Sequence, residues 1–368
     1  MGPEFGAFRS FAAMTVGGNI RRFGFHLAAT LLAFTAVASS TNMSWADEDG
    51  VSFWIPGFFG SLAATPQQPG WSLASIYYHT DVSASGNAAV AREIRIGRFN
   101  PTINVNVSAN VHAKADLGFV IPSYVFATPF LGGQASASLL MAYGNNDTSL
   151  NATATAGPFT KSIALQQDTM GFADLIPQFA VRWNAGVNNY MAYLTGDIPV
   201  GLYNSKNLAN IGLGHGAIDG GVGYTYFDPK TGHEFSAVLG LTGNFRDQST
   251  GYTSGIDSHL DWGASQFLSK QVQVGLVGYF YEQLTADSGC APVLCPFKSR
   301  VMGIGPQLGY LFPVGNMQGY FNIKGYGEFA NDNRPDGWNL WLTFVLSPAP
   351  PSAEPSPPPI LTKLAPQH

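Results

Sequence analysis

From residue 171 to residue 346 the chain repeats runs of about ten residues in which apolar and polar side chains alternate, separated in turn by short and long connections. In the run 271–283, Val272, Val274, Leu276 and Phe280 fall on one face, and Gln273, Tyr279, Tyr281 and Gln283 fall on the other. Successive side chains of a strand point to opposite sides, so each run has one greasy and one wet face. A soluble antiparallel sheet alternates in the same way but turns its greasy face to a core. The choice between core and lipid rests on composition.

Only 11% of the 368 residues are charged and 13% are aromatic, with 43 Gly and 24 Pro. A water-soluble globule carries about 25% charged residues, whereas a barrel with a lipid-facing band confines its charge to lumen, turns and loops. After residue 46 no stretch is continuously apolar over the roughly 18 residues that a spanning helix needs. A membrane protein with this sequence therefore crosses with strands. Every backbone amide and carbonyl at membrane depth needs a partner, so the sheet must close on itself.

The first residues read as an export signal, residues 1–46. Arg21, Arg22 and His26 precede a short apolar run from Leu27 to Ser39, and Ser44 and Ala46 offer the small residues that a signal peptidase reads, with cleavage before Asp47. Met14 would give a better-proportioned start than Met1, and ordinary secretion, rather than the twin-arginine route, is the default. Loss of this segment leaves 15 basic against 22 acidic residues. No basic run exists to follow a phosphate backbone, which argues against a nucleic-acid partner. Cys290 and Cys295, the only two cysteines, form a candidate disulfide in an exported chain. No metal site and no cofactor are expected.

Strands are expected over 71–80, 117–128, 134–144, 174–184, 188–197, 217–227, 233–245, 257–268, 271–284, 300–311, 317–330 and 338–346. The fold class is therefore all-β, a transmembrane antiparallel up-and-down barrel of about twelve strands over 71–346. Tight connections at 184–188, 228–232, 269–270 and 312–316, all but 269–270 with Gly, Pro or Asn, belong on the periplasmic side. The longer ones at 196–216, 246–256 and 285–299 belong outside. An even strand count brings both barrel ends to the periplasm. Further alternating pieces within 81–116 and 145–173, such as Ile103-Val105-Val107, extend strands above the membrane or add a hairpin. Aromatic residues near strand ends, among them Trp71, Tyr77, Tyr78, Trp183, Tyr190, Tyr224, Tyr310, Trp338 and Phe344, suit interfacial girdles. The Pro-rich tail 347–368 cannot donate ladder hydrogen bonds and is expected to be extended and disordered.

With the greasy face outward, the wet face supplies pore-lining candidates: Asp174, Arg182, Tyr193, Asp197, Asp219, Asp257, His259, Asp261, Tyr279, Tyr281, Tyr320, Lys324, Tyr326 and Glu328. A lumen mixing tyrosines with both signs of charge can bind or conduct a small amphipathic or aromatic molecule. Each charge taken singly fits better in an ion-pair network that braces the barrel. Asp257, His259 and Asp261 share one face, but Ser265 lies two strand repeats further on, so no catalytic triad is readable. No HExxH, GxSxG or phosphate-binding loop occurs. Residues 47–70 precede the first strand, and Trp54, Phe58 and Phe59 there have no membrane-facing strand to occupy. The segment is expected under the barrel in the periplasm or inside it as a plug.

The strings FWIPGFFGSLAATPQQPGWS, PSYVFATPFLGG, SGIDSHLDWGASQFLSKQVQVGLVGYFYEQLTADSG and FKSRVMGIGPQLGYLFPVGNMQGYFNIKGYGEFANDNRPDGWNLWLTF resemble the outer-membrane family of the MetA-pathway of phenol degradation, over about residues 53–348. The resemblance implies an outer-membrane channel or transporter for small hydrophobic or aromatic compounds, with membrane lipid as a partner and no enzymatic activity. It transfers no binding residues. The chain departs from the family pattern at Cys290 to Cys295, where a Gly-rich loop is usual, and an extracellular disulfide there would stiffen a loop near the pore mouth. The competing functions are an outer-membrane enzyme acting on lipids, and a closed structural or adhesion barrel.

Overall fold

The structure is a computed structural model, and it describes residues 52–85, 106–156, 158–289 and 298–350. The export signal, the Cys290–Cys295 pair and the tail beyond residue 350 lie outside the described residues. The strands are β1 (Gly70–Ser85), β2 (Asn106–Val125), β3 (Gln134–Ala156), β4 (Phe159–Phe172), β5 (Ile176–Ala185), β6 (Asn188–Asp197), β7 (Ala217–Phe227), β8 (His233–Asn244), β9 (Asp257–Phe267), β10 (Val272–Gln283), β11 (Arg300–Val314), β12 (Met317–Asp332) and β13 (Asp336–Pro348).

Apart from β4 and β5, which both pair with β3, each strand pairs antiparallel with its chain neighbours, and β1 pairs with β13 from Leu73–Leu346 to Ser83–Asp336, which closes the ring. Twelve staves make the barrel, because β4 and β5 are two halves of one. The outer part of β3 pairs with β4 and its inner part with β5. At the junction two residues of β3, Met141 and Ala142, face three of the partner stave, Ala173, Asp174 and Leu175. This is a bulge that bends the stave and ends its pairing with β6. Above it β4 pairs with β3 alone, and the connection 198–216 hems its free side, with Leu202 N–H donating to the Phe172 carbonyl at 2.9 Å.

The firm ranges 117–128 and 134–144 cover about half of β2 and β3, and the pieces expected to extend strands above the membrane are their outer halves and β4. The ranges stop short for one reason. Above the hydrocarbon band the wall has water outside, so the alternation no longer follows lipid. In this upper part Val111, Leu150 and Ala152 point inward and are buried, packed with Leu208 from the 198–216 connection, while Asn110 and Asn151 face out.

Around the band the outer face is apolar: Leu73, Val120, Phe179, Leu194, Val222, Leu241, Leu276, Leu308 and Phe321 are all exposed. In water such a continuous belt would be a large sticky patch; in a bilayer it is the lipid contact. A ring of aromatic pairs marks the short-turn end, including Trp71–Tyr124, Tyr190–Tyr224, Phe227–Phe267 and Tyr310–Phe312. Tyr78 is not part of a girdle. It faces inward against Trp341, ring centroids 4.4 Å apart, because even-numbered β1 positions point to the lumen.

Candidate functional site

The lumen has two unlike walls. From β13 through β3 the inner face is apolar and aromatic: Ile76, Tyr78, Phe119, Ile121, Leu140, Ala142 and Trp341 are buried in one cluster. From β5 through β9, and on β12, the inner face carries Arg182, Asp197, Asp219, Glu234, Asp257, His259, Asp261 and Lys324, each buried. The pore-lining candidates read from the sequence all lie on the later staves, from Asp174 on. On β1–β3 and β13 both faces are apolar, and alternation cannot distinguish them.

Residues 52–69 run between these walls, held by bonds from luminal side chains to their own backbone. Lys324 Nζ donates to the carbonyls of Gly57, Phe58 and Phe59 at 2.6, 3.1 and 3.2 Å. Asp261 accepts from the amides of Gly57 at 2.8 Å and Phe59 at 3.1 Å. Further along, Glu234 accepts from Leu62 N–H at 2.9 Å, Thr225 from Ala64 N–H at 3.0 Å, and Arg182 donates to the Ala63 carbonyl at 3.3 Å. Ser61 shares a hydroxyl contact of 2.7 Å with Ser265 and receives the Gln307 amide at 2.6 Å. A segment without helix or sheet leaves its amides and carbonyls unsatisfied, and buried groups of that kind need partners. The luminal charges supply them.

Gly57 is the point of closest approach. Its φ is +85°, and an added Cβ would lie 2.9 Å from the Tyr326 ring, so only glycine fits without strain. The aromatic residues of the segment, which have no strand to occupy, fill the remaining space. Trp54 stacks on His259 with centroids 3.8 Å apart and planes 11° from parallel. Phe58 meets Trp341 edge-on, and Phe59 meets Tyr193. Gly240 on β8 leaves the space that Tyr193 and His259 use to approach each other, since a Cβ there would lie within 2.4 Å of His259 Nε2 and closer still to the Tyr193 hydroxyl.

All fourteen pore-lining candidates face the interior. Tyr193, Tyr279, Tyr281 and Tyr326 are buried, and Tyr320 and Glu328 are half-buried. Tyr279 donates to Glu328 at 2.5 Å, and Tyr320 to Gln273 at 3.1 Å. The expected bracing by ion pairs is nearly absent. Among the described residues the one fully buried pair is His259–Asp219, 3.0 Å apart, with the Tyr193 hydroxyl 3.3 Å from the same imidazole nitrogen. Asp174, the bulge residue, caps the 198–216 connection by accepting from Gly201 N–H at 2.6 Å and Leu213 N–H at 2.7 Å. Ser265 bonds to Ser61, Gln273 and Gln307 rather than to His259. The hydrogen bonds therefore assemble no serine–histidine–acid triad, and no group of three or more metal-ligating side chains converges among the described residues. Sequence reasoning missed the apolar wall and the part played by Glu234, Thr225 and Gln307. Their inward alternation was visible, but not what they bind.

Outside the band, Asp247 in the β8–β9 connection receives the Tyr203 hydroxyl at 2.7 Å and the Ser249 amide at 2.6 Å. Burial alone would raise its carboxyl above the usual range, but these donors together hold it below.

No curated protein matches the chain significantly. Among solved structures it is similar to the COG4313 outer membrane channel of Pseudomonas putida F1, at 12% identity and a TM-score of 0.54, covering 79% of this chain and 98% of that one. A FadL homologue of Pseudomonas aeruginosa matches at 9% identity and a TM-score of 0.37, covering 80% and 94%. The first likeness shows the outer-membrane barrel fold. The family model for the MetA-pathway of phenol degradation matches residues 59–344, most of the strands and half of the lumenal segment, and the chain belongs to that family.

Proposed function

We propose that this protein is exported through a cleaved signal to the bacterial outer membrane, where it acts as a channel for small hydrophobic or aromatic molecules, with residues 52–69 as a displaceable plug. The observation that carries the reading is the asymmetry of the lumen. An apolar solute gains nothing from a wall of charges, but the buried Phe119, Ile121, Leu140 and Trp341 offer it a continuous apolar surface from which hydrophilic solutes gain little. The plug meets that surface through Phe58, which packs on Trp341, while Trp54 and Phe59 pack on His259 and Tyr193 of the opposite wall, where the backbone bonds also lie. Such bonds exchange for bonds to water once the segment moves, each with a net worth of about 1 kcal/mol when neutral and about 1.5–3 kcal/mol when one partner is charged. Family membership and the barrel fold point to the same role. The separation of His259 from Ser265 removes the observation on which a lipid-active enzyme would rest.

The test compares the full chain with a variant lacking 52–69 in planar bilayers, and measures liposome uptake of phenols, aromatic acids and sugars. Deletion is expected to raise single-channel conductance several-fold, and intact protein is expected to pass ring compounds faster than sugars. Unchanged conductance would remove the plug. Equal permeability to all solutes would reduce the protein to a general pore, and no passage in either form would favour a closed structural barrel.

A further inference from the structure

Between the plug and the apolar wall lies a cavity of about 50 Å³, lined by Trp54, Phe58, Phe119, Leu140 and Ile176, with Thr195 of β6 on its polar edge. A water-sized group occupies roughly 10–15 Å³ on such a measure, so the space suits a body of a few heavy atoms. One inner-face step further along β6, about 7 Å from Thr195, stands Asp197. It is 7% exposed, and among the described residues neither carboxylate oxygen has a hydrogen-bond partner.

Its neighbours are provided for. Asp174 has two backbone amides, and Asp219 has the Thr242 hydroxyl at 2.6 Å and His259. Asp197 lies opposite Ala217, whose small side chain leaves room, and diagonal to Asp219; the Leu175–Ile198 bridge puts Asp174 on its other side. A carboxylate removed from water without a donor is costly, and two flanking carboxylates add repulsion. The buried cations of the lumen are engaged elsewhere: Arg182 with Ala63 and Ser136, Lys324 with the plug. The site lacks one thing, a positively charged or hydrogen-bond-donating group.

We infer that Asp197 receives the head group of a bound solute whose apolar body occupies the cavity below it. The ligand class is a short-chain molecule of a few heavy atoms with a donor head, ammonium binding more tightly than hydroxyl, and carboxylate excluded. This rests on the channel reading in one respect, that it names which of the apolar solutes the lumen selects; binding itself is measurable without passage.

The experiment uses the full chain in detergent and three probes of one size, propylamine, 1-propanol and propionate, titrated by calorimetry and by Trp fluorescence. The amine is expected to bind at least about 10-fold more tightly than the acid, and Asp197→Asn to weaken the amine about 10-fold or more, the scale of one charge-assisted hydrogen bond. Asp197→Glu should retain the order amine, alcohol, acid. Heat-modifiability on gels reports whether each variant is folded. Equal binding of acid and amine, an unchanged order in Asp197→Asn, or no binding of any probe overturns the inference. Liposome passage of the same probes separates the two proposals. Ordered binding without passage defeats the channel and leaves the site, whereas passage without order defeats the site and leaves the channel.

Discussion

The two inner walls use the same strand alternation for different ends. On the β13–β3 wall most inward residues are as apolar as the outward ones and pack by shape, with Ser136 and Asn339 among the few that bond. On the β5–β9 wall and on β12 they are charged, and four of them, Arg182, Glu234, Asp261 and Lys324, are bonded to the backbone of a segment with no secondary structure of its own. Barrel interiors are usually described by their charge, but here the charged wall serves as a receptor for the protein's own chain. The surface left for the body of a foreign molecule is the apolar one.

The strongest way to break that comparison is to fix the plug in place. In a background with Cys290 and Cys295 replaced by Ser, the double substitution Ser61→Cys and Ser265→Cys converts a 2.7 Å hydroxyl contact into a cross-link. Oxidation is expected to abolish most solute passage and reductant to restore it; passage that ignores redox state would mean the segment need not move.

Next in size is Lys324→Met, which strips three carbonyls of their charged donor. A loss of about 3 kcal/mol from seating, a factor of roughly 100 in the released population, should appear as more frequent full-conductance events and faster proteolysis within 52–69. An unchanged event frequency would show that the rings, not the charged wall, hold the segment.

On the opposite wall, Leu140→Asn should leave the plug seated but slow the uptake of apolar rings several-fold relative to sugars, because it puts an amide into the cavity lining. If it alters both solutes alike, the wall is structural only.

The smallest effect lies outside the membrane. Asp247 has a carboxyl held below its ordinary value in the folded state, so its contribution is present above the unfolded value of about 3.9 and is lost as pH falls through the lower folded one. Hydrogen exchange in 198–216 and 246–256 is expected to quicken below about pH 4 through release of the Tyr203–Asp247 bond, and Asp247→Asn should flatten that dependence.

The sequence discloses a structural feature when one medium acts on it consistently. Lipid outside and polar lumen inside make β5–β12 legible strand by strand, down to the inward placement of Asp219, His259 and Lys324. Where both sides are apolar, as at Phe119 and Val120, the pattern has no contrast to read. Where water replaces lipid, as at Leu150 and Asn151, its sense inverts and the strand looks like loop. The bulge at Asp174 was hidden for a third reason: one extra residue changes nothing in local composition, and only its pairing with β3 exposes it. Nor could alternation show that Lys324 meets Gly57, residues 267 apart in the chain.

The handholds that seat residues 52–69 come from β3, β5, β7, β8, β9, β11 and β12. They lie along one stretch of the sheet and turn toward a common centre only because that sheet is curved into a cylinder. A flat sheet of the same staves would offer the segment a surface and no socket, so its full set of bonds is a reading of the wall's curvature.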